Sequence, residues 1–405
     1  MSHWQWRNDN RVRLLENGEQ FFPRVLQAIA GAREEVIIET FILLDDRVGR
    51  ELQAALMDAA RRGLRVRLTV DGYGSELLSQ AFIHELRTAG VDLQMFAPAR
   101  HLFGRRIHFL RRLHRKLVVI DQRLAFVGGL NYAADQLIRS GTDSKQDYAV
   151  EVEGPVVADI HTLVNGLPGD LRRPQRPARS PALPPAIDVP SVQTAADSAR
   201  VLLASRDNQL HRDDIERLYR IAIRSAGHRV LIANAYFFPG YRLIRELRKA
   251  AQRGVRVQLI MQGKPDLPWV RLLTRTLYRH LAMGGVEIHE YLPRPLHAKV
   301  AVIDEDWATV GSSNLDPLSL AINLEANLFI RDVAFAAALL ANLEQRIAQD
   351  CRRLDPQQLR HPRLAILLLG YLAYQFARRF PRPIRRLPAP PPLAEAVNGT
   401  ERGSR

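Results

Sequence analysis

One pattern occurs twice in this chain, and any admissible fold must house both copies. Residues 113–131 read LHRKLVVIDQRLAFVGGLN and residues 296–314 read LHAKVAVIDEDWATVGSSN. Each copy carries His-x-Lys, four residues, Asp, six residues, Gly, and an Asn shortly after. The alternating apolar run behind each His-x-Lys predicts a β-strand, so His114 and Lys116 face one way, as do His297 and Lys299. An imidazole and an ammonium on one face address one anion. Asp121 and Asp304 share the motif and so count among the catalytic candidates, although Asp304 falls on the opposite strand face, at a turn, where a structural role is expected. Gly128, Gly129 and Asn131 in one copy, and Gly311, Ser312, Ser313 and Asn314 in the other, form loops of small residues and donors.

A second duplication surrounds the first. ARRGLRVRLTVDG at 60–72 matches AQRGVRVQLIMQG at 251–263. Before the first of these, a helical pattern from Phe21 to Ala32 leads into a strand at 36–38, and a helix at about 48–61 aligns Val48, Leu52, Ala55, Leu56 and Ala59 on one face. Residues 230–263 repeat this β-α-β unit, with the helix YRLIRELRKAAQR between its strands. The expected class is α/β: two pseudo-symmetric halves, each a parallel-rich mixed sheet flanked by helices, with the motif strands meeting between them. The halves are placed at 1–167 and 201–350. They are joined by a Pro-rich linker at 168–200 and followed by a region at 351–405.

Charge narrows the partners. Lys and Arg number 58 against 43 Asp and Glu, a net charge of +15, which suits a polyanion such as anionic lipid or nucleic acid. RRIHFLRRLHRK at 105–116 concentrates arginines just ahead of the first motif, and arginine favours phosphate. Cys351 is the single cysteine, which excludes an intrachain disulfide and a cysteine-rich zinc site. The N-terminus MSHWQWRNDNRVRLL lacks the apolar run of a secretory leader, so the chain is expected to stay in the cytoplasm. Trp4 and Trp6 there are read as interfacial anchors or as part of a packed terminal strand. LAILLLGYLAYQFA at 364–377 is too short to span a bilayer, which needs about 20 residues. It is read either as an interfacial helix beside anionic head groups or as a helix packed on the core. The tail after Pro381 is expected to be disordered.

With KPD at 264–266, WATVGSSNLDPLSL and NLEAN, the duplicated motif resembles the phospholipase D superfamily, and within it the B branch of the bacterial cardiolipin synthases. The resemblance implies an active site at the interface of two phospholipase D-like halves, working without cofactor or metal. It implies that the first histidine, His114, attacks phosphorus, and that His297 serves as acid and base. Lys116, Lys299, Asn131 and Asn314 would hold the non-bridging oxygens, with Ser312 and Ser313 as further donors. Family members orient each histidine by a downstream carboxylate, a place taken by Glu325 in the second half. Aligning QDYAVEV with NLEANLF puts Asp147 there in the first half, although its gap from Asn131 is five residues longer. Asp71, His101 and His108 are read as loop or surface residues, with a place lining the cleft as the alternative.

The reaction implied is phosphatidyl transfer between two phosphatidylglycerol molecules, at the cytoplasmic face of a bacterial inner membrane to which the protein binds peripherally. The same chemistry permits phospholipase D-type hydrolysis, or head-group exchange between phosphatidylethanolamine and glycerol. A phosphodiesterase or binding module for nucleic acid leaves the apolar segment unexplained, and a non-enzymatic scaffold does not require two intact motifs. No residue pattern names a protein partner.

Overall fold

The computed structural model describes residues 4–97, 101–102, 105–106, 112–138, 141, 144–166, 198–207, 210–263, 277–316, 319–320, 322–355 and 394–395. The first half runs β1 (Arg7–Glu16), α1 (Asn17–Gly31), β2 (Glu35–Thr40), α2 (Arg47–Arg61), β3 (Arg65–Asp71), α3 (Gln80–Thr88) and β4 (Asp92–Phe96). It continues through the short β5 (His101–Leu102) and β6 (Arg105–Arg106) to β7 (Leu117–Ile120), β8 (Leu124–Gly128), β9 (Tyr148–Glu153) and α4 (Val156–Asn165). The second half runs β10 (Ala199–Arg206), α5 (Asp214–Ser225), β11 (Arg229–Asn234), α6 (Tyr241–Gln252), β12 (Arg256–Gln262) and β13 (Glu287–Tyr291). Then come β14 (Lys299–Ile303), β15 (Trp307–Gly311), β16 (Glu325–Arg331), α7 (Val333–Asp350) and β17 (Cys351–Arg353), with β18 at Ala394–Glu395.

In each half a helix crosses between parallel strands, and a β-hairpin then adds antiparallel to the first of them. Thus β2, β3 and β4 are parallel and β7 pairs antiparallel with β2. Likewise β11, β12 and β13 are parallel and β14 pairs antiparallel with β11. The two sets join into one 16-stranded sheet, ordered β17-β13-β12-β11-β14-β15-β16-β10 and then β1-β9-β8-β7-β2-β3-β4-β18. The second series mirrors the first about the β1/β10 seam. The N-terminal stretch, which carries no motif, therefore supplies a central strand rather than a mere cap. Trp4 and Trp6 pack on the second half beneath the guanidinium groups of Arg217 and Arg200, at 5.3 and 5.8 Å.

The sheet faces itself. Strands of both halves, with Val156, Val157 and Ile160 of α4 and Phe335 and Leu339 of α7, close one inner core. The outer faces are covered separately. Phe22, Val25 and Ile29 of α1 and Leu52 and Leu56 of α2 close the first, and Tyr219 of α5 with Leu243 and Leu247 of α6 close the second. Local signals set these helices: Asp46 caps α2 by accepting from Gly49 N at 3.0 Å, and Asp332 caps α7 by accepting from Phe335 N at 2.7 Å. Each such cap contributes about 1 kcal/mol.

Several boundaries shift from expectation. Ala199 and Arg200, assigned to the linker, open β10, because their backbone pairs with β1 and β16. Cys351–Arg353 pairs with β13, so the second half's sheet extends past residue 350. Ala394 and Glu395 pair with Met95 and Gln94, where a disordered tail was expected. The segment 364–377, most of the linker, the KPD at 264–266 and residues 107–111 of the arginine run, His108 among them, lie outside the described residues. Among the described residues no helix is long and apolar enough to cross a membrane.

Candidate active site

Each motif histidine precedes the first strand of its hairpin, on a short extended stretch bridged to the opposite half. Leu113 bridges Leu324 in parallel, with His114 N donating to Leu324 O at 2.9 Å and Leu324 N to Arg112 O at 2.8 Å. Gln146 bridges Leu296 in the same way, with His297 N donating to Gln146 O at 2.8 Å and Gln146 N to Pro295 O at 2.9 Å. The residue after each bridging partner is a carboxylate, Glu325 or Asp147.

The bridges exchange those carboxylates. His114 Nδ1 bonds Glu325 Oε2 at 3.0 Å, and His297 Nδ1 bonds Asp147 Oδ2 at 2.5 Å. A pairing of Glu325 with the histidine of its own half, as the downstream order implied, is therefore corrected: each half orients the other's imidazole. Strand register makes the two carboxylates equivalent despite the longer first loop. Gly128 pairs with Ala149 and Gly311 with Asn327, each two residues beyond its carboxylate. With Nδ1 engaged, each imidazole keeps Nε2 for chemistry.

The cations are buried with them. Lys116 Nζ donates to His114 O at 2.7 Å, and Lys299 Nζ donates to His297 O. Burial pushes Lys116 down to about 7 and Lys299 down to about 8. Both histidines are also held below the ordinary imidazole value, by burial first. For His297 the lysines Lys299, Lys145 and Lys116 lower it further. Burial pushes Asp147 up to about 6. Burial acts on Glu325 in the same direction, but His114, Lys116 and the Ser312 hydroxyl outweigh it and hold this carboxyl below its usual value.

The surrounding candidates divide by what they touch. Ser312 Oγ donates to Glu325 Oε2 at 2.5 Å, and Ser313 Oγ donates to Asn314 O at 3.2 Å. Both hydroxyls, expected as donors to phosphate, are spent within the protein. Asn131 Oδ1 accepts from Ile42 N at 3.1 Å, which leaves its amide NH2 to donate, and Asn314 is buried. The loops need their glycines: a Cβ at Gly128 would stand 2.6 Å from Ala149 Cα, and one at Gly129 would collide with the Asp147 carboxylate.

Asp121 and Asp304 do not join the cluster. Asp121 accepts from the backbone N–H groups of Arg33, Glu34 and Glu35 at 2.8 to 2.9 Å. Asp304 does the same for Gly227, His228 and Arg229 at 2.8 to 3.0 Å. Each tethers the far end of a motif strand to the turn before β2 or β11, so their grouping with the catalytic candidates is corrected. The odd-numbered offset from His sends them to the other face.

Sequence reading missed Phe41, whose ring lies 4.9 Å from that of His114 and 5.3 Å from Lys116 Nζ. Its signal is a place one residue past β2, the strand that pairs with the motif strand following His114. Asp71, read as a loop or surface residue, is fully buried. Among the described residues no group of three or more His, Cys, Asp or Glu side chains is placed to hold a metal ion.

Comparison with known proteins matches residues 25–163 and 219–347 to the family model "Cardiolipin synthase, PLD-like domain". Cardiolipin synthase B of Salmonella typhi is 50% identical, over 96% of this chain and 92% of that protein. Cardiolipin synthase B of Escherichia coli K12 is 49% identical, over 97% of this chain and 94% of that protein. Among solved structures, phosphatidylserine synthase of Haemophilus influenzae shares the fold with a TM-score of 0.64 at 14% identity, covering 91% of this chain and 93% of that one.

Proposed function

Because the chain belongs to the cardiolipin synthase family with phospholipase D-like domains, we propose that it makes cardiolipin by phosphatidyl transfer between two phosphatidylglycerol molecules. The observation that carries this reading is the crossed pairing of His114 with Glu325 and His297 with Asp147, which leaves two imidazole Nε2 atoms and two buried ammonium groups for one phosphodiester.

His114 Nε2 attacks phosphorus of the first phosphatidylglycerol, and the bond to the head-group glycerol breaks. His297 gives that alkoxide a proton, so glycerol leaves and a phosphatidyl group stays on His114. A head-group hydroxyl of the second phosphatidylglycerol then loses its proton to His297 and attacks the same phosphorus. Cardiolipin departs and both imidazoles are restored. Lys116, Lys299, Asn131 and Asn314 hold the non-bridging oxygens, whose charge grows in the five-coordinate transition state. An arriving phosphodiester also neutralises the lysines that depress His297, which lets that imidazole take up the proton it must donate.

The substrates are bilayer lipids, so the protein works as a peripheral protein at the cytoplasmic membrane face, where a net charge of +15 suits anionic lipid. The test is incubation of the purified protein with phosphatidylglycerol vesicles and mass analysis of the lipids. Cardiolipin and free glycerol are expected from the wild-type chain and neither from His114→Ala. Phosphatidic acid without cardiolipin would make water the acceptor and the chain a hydrolase.

A further inference from the structure

We propose that Asp71 and Gln262 are equivalent positioning residues, each fixing the short strand that carries one reactive histidine. The proposal rests on the reading that His114 and His297 carry the reaction. The two residues close matching strands: Asp71 ends β3 and Gln262 ends β12. The next residue is glycine in both, with Gly72 N donating to Phe96 O at 2.8 Å and Gly263 N to Tyr291 O at 3.0 Å. At these matched positions Asp71 Oδ2 accepts from Leu113 N at 2.8 Å, and Gln262 Oε1 accepts from Leu296 N at 2.6 Å. Leu113 and Leu296 each stand immediately before a reactive histidine.

The geometry explains why an acceptor is needed there. Along an extended strand successive N–H groups point to opposite edges. The N–H groups of His114 and His297 point across the interface, to Leu324 O and Gln146 O. Those of Leu113 and Leu296 point back into their own halves, where backbone pairing has ended and a side chain must take over. Each histidine strand is therefore clamped from both edges, by the partner half on one and by a single side chain on the other.

Asp71 is itself fixed by Tyr73 N at 2.9 Å and Gly74 N at 3.2 Å, with the Arg112 guanidinium 3.8 Å away. Asp and Gln differ in charge, length and donor content. What they share is a carbonyl-type oxygen at one place. Two copies of one unit that meet the same demand with different side chains point to the acceptor itself as the requirement.

The experiment uses the full chain, with phosphatidylglycerol vesicles as substrate and hydrogen exchange read at the Leu113 and Leu296 amides. Gln262→Leu keeps the side-chain bulk and removes the acceptor, whereas Gln262→Glu keeps an acceptor. For Gln262→Leu we expect kcat to fall about 10- to 100-fold with KM unchanged, the scale of a misplaced reacting group. The Leu296 amide should exchange faster while Leu113 does not, and the thermal midpoint should hold. Gln262→Glu should retain most of the turnover and the protection. Wild-type kcat in Gln262→Leu, or a fallen kcat with Leu296 protection intact, would overturn the proposal. The exchange readout needs no turnover, so it stands apart from the reaction: activity surviving in His114→Ala or His297→Ala would sink the two-histidine reading instead.

Discussion

Around His114 the first half sets Phe41 against the imidazole, whereas the matched residue of the second half, one past β11, is Ala235. On the opposite strand face the first half buries an ion pair, Arg115 with Glu39 at 2.8 Å, where the second half has Ala298 and Ala233. In the loops Ser312 takes the place that Gly129 has in the first half, and only Ser312 has a hydroxyl to give its carboxylate. With the strand order shared by the two halves, these substitutions, together with Lys145 beside His297 and Asp147 in place of Glu325, make the two histidines chemically different. Glu325, held as an anion by His114, Lys116 and Ser312, keeps a proton on His114 Nδ1 and a free lone pair on Nε2. Asp147, pushed up to about 6 by burial, binds a proton more readily than Glu325 does, beside a His297 that burial and the neighbouring lysines hold well below the ordinary imidazole value. The first environment suits a nucleophile and the second an acid and base.

The strongest way to break this comparison is to delete each imidazole. Both His114→Ala and His297→Ala should lower turnover about 10³-fold or more, within the range of lost nucleophilic and acid–base catalysis. They should differ in what accumulates. Quenched in denaturant at alkaline pH, where a histidine–phosphorus bond survives, His297→Ala should carry covalent phosphatidyl label and His114→Ala none, and the reverse pattern would exchange the two roles.

The next effect is on stability. Removing one member of the Glu39–Arg115 pair strands a buried charge, so Glu39→Ala or Arg115→Ala should each cost about 3 to 5 kcal/mol in denaturant unfolding. The double variant gives the first half the Ala–Ala arrangement of the second and should cost less than either single change. Additive losses would mean that side-chain volume, not charge, is what the first half needs there.

The smallest effect is a shift in pH dependence. Carboxylates that orient histidines must be ionised, so kcat/KM should fall as pH drops through about 6, set by Asp147. Ammonium groups that hold phosphate must be protonated, so it should fall again as pH rises through about 7 to 8, set by Lys116 and Lys299. Ser312→Ala removes a donor to Glu325, raises that carboxyl toward Asp147 and should move upward, by at most about one unit, the pH below which the acidic limb steepens, while the onset set by Asp147 stays. A profile identical to the wild type would show that the hydroxyl does not distinguish the two carboxylates.

Much of the architecture lay open in the chain itself. Two His-x-Lys pairs on alternating strands, two β-α-β units and the wording around each define a duplicated α/β protein, because strand period and helix period are local properties of residue order. The glycines at 128 and 129 and the equivalence of Asp147 with Glu325 were legible for the same reason. Partnership was not. That Glu325 serves His114 and Asp147 serves His297 depends on which strand edges meet across the seam, and repeated halves read alike whether their carboxylates stay home or cross over. The same holds for β1, whose polar residues carry no motif yet fill the centre of the sheet, and for Asp71, whose burial comes from neighbours remote in sequence. Residue order specified the parts and their faces, and only long-range pairing decided which half completes which site.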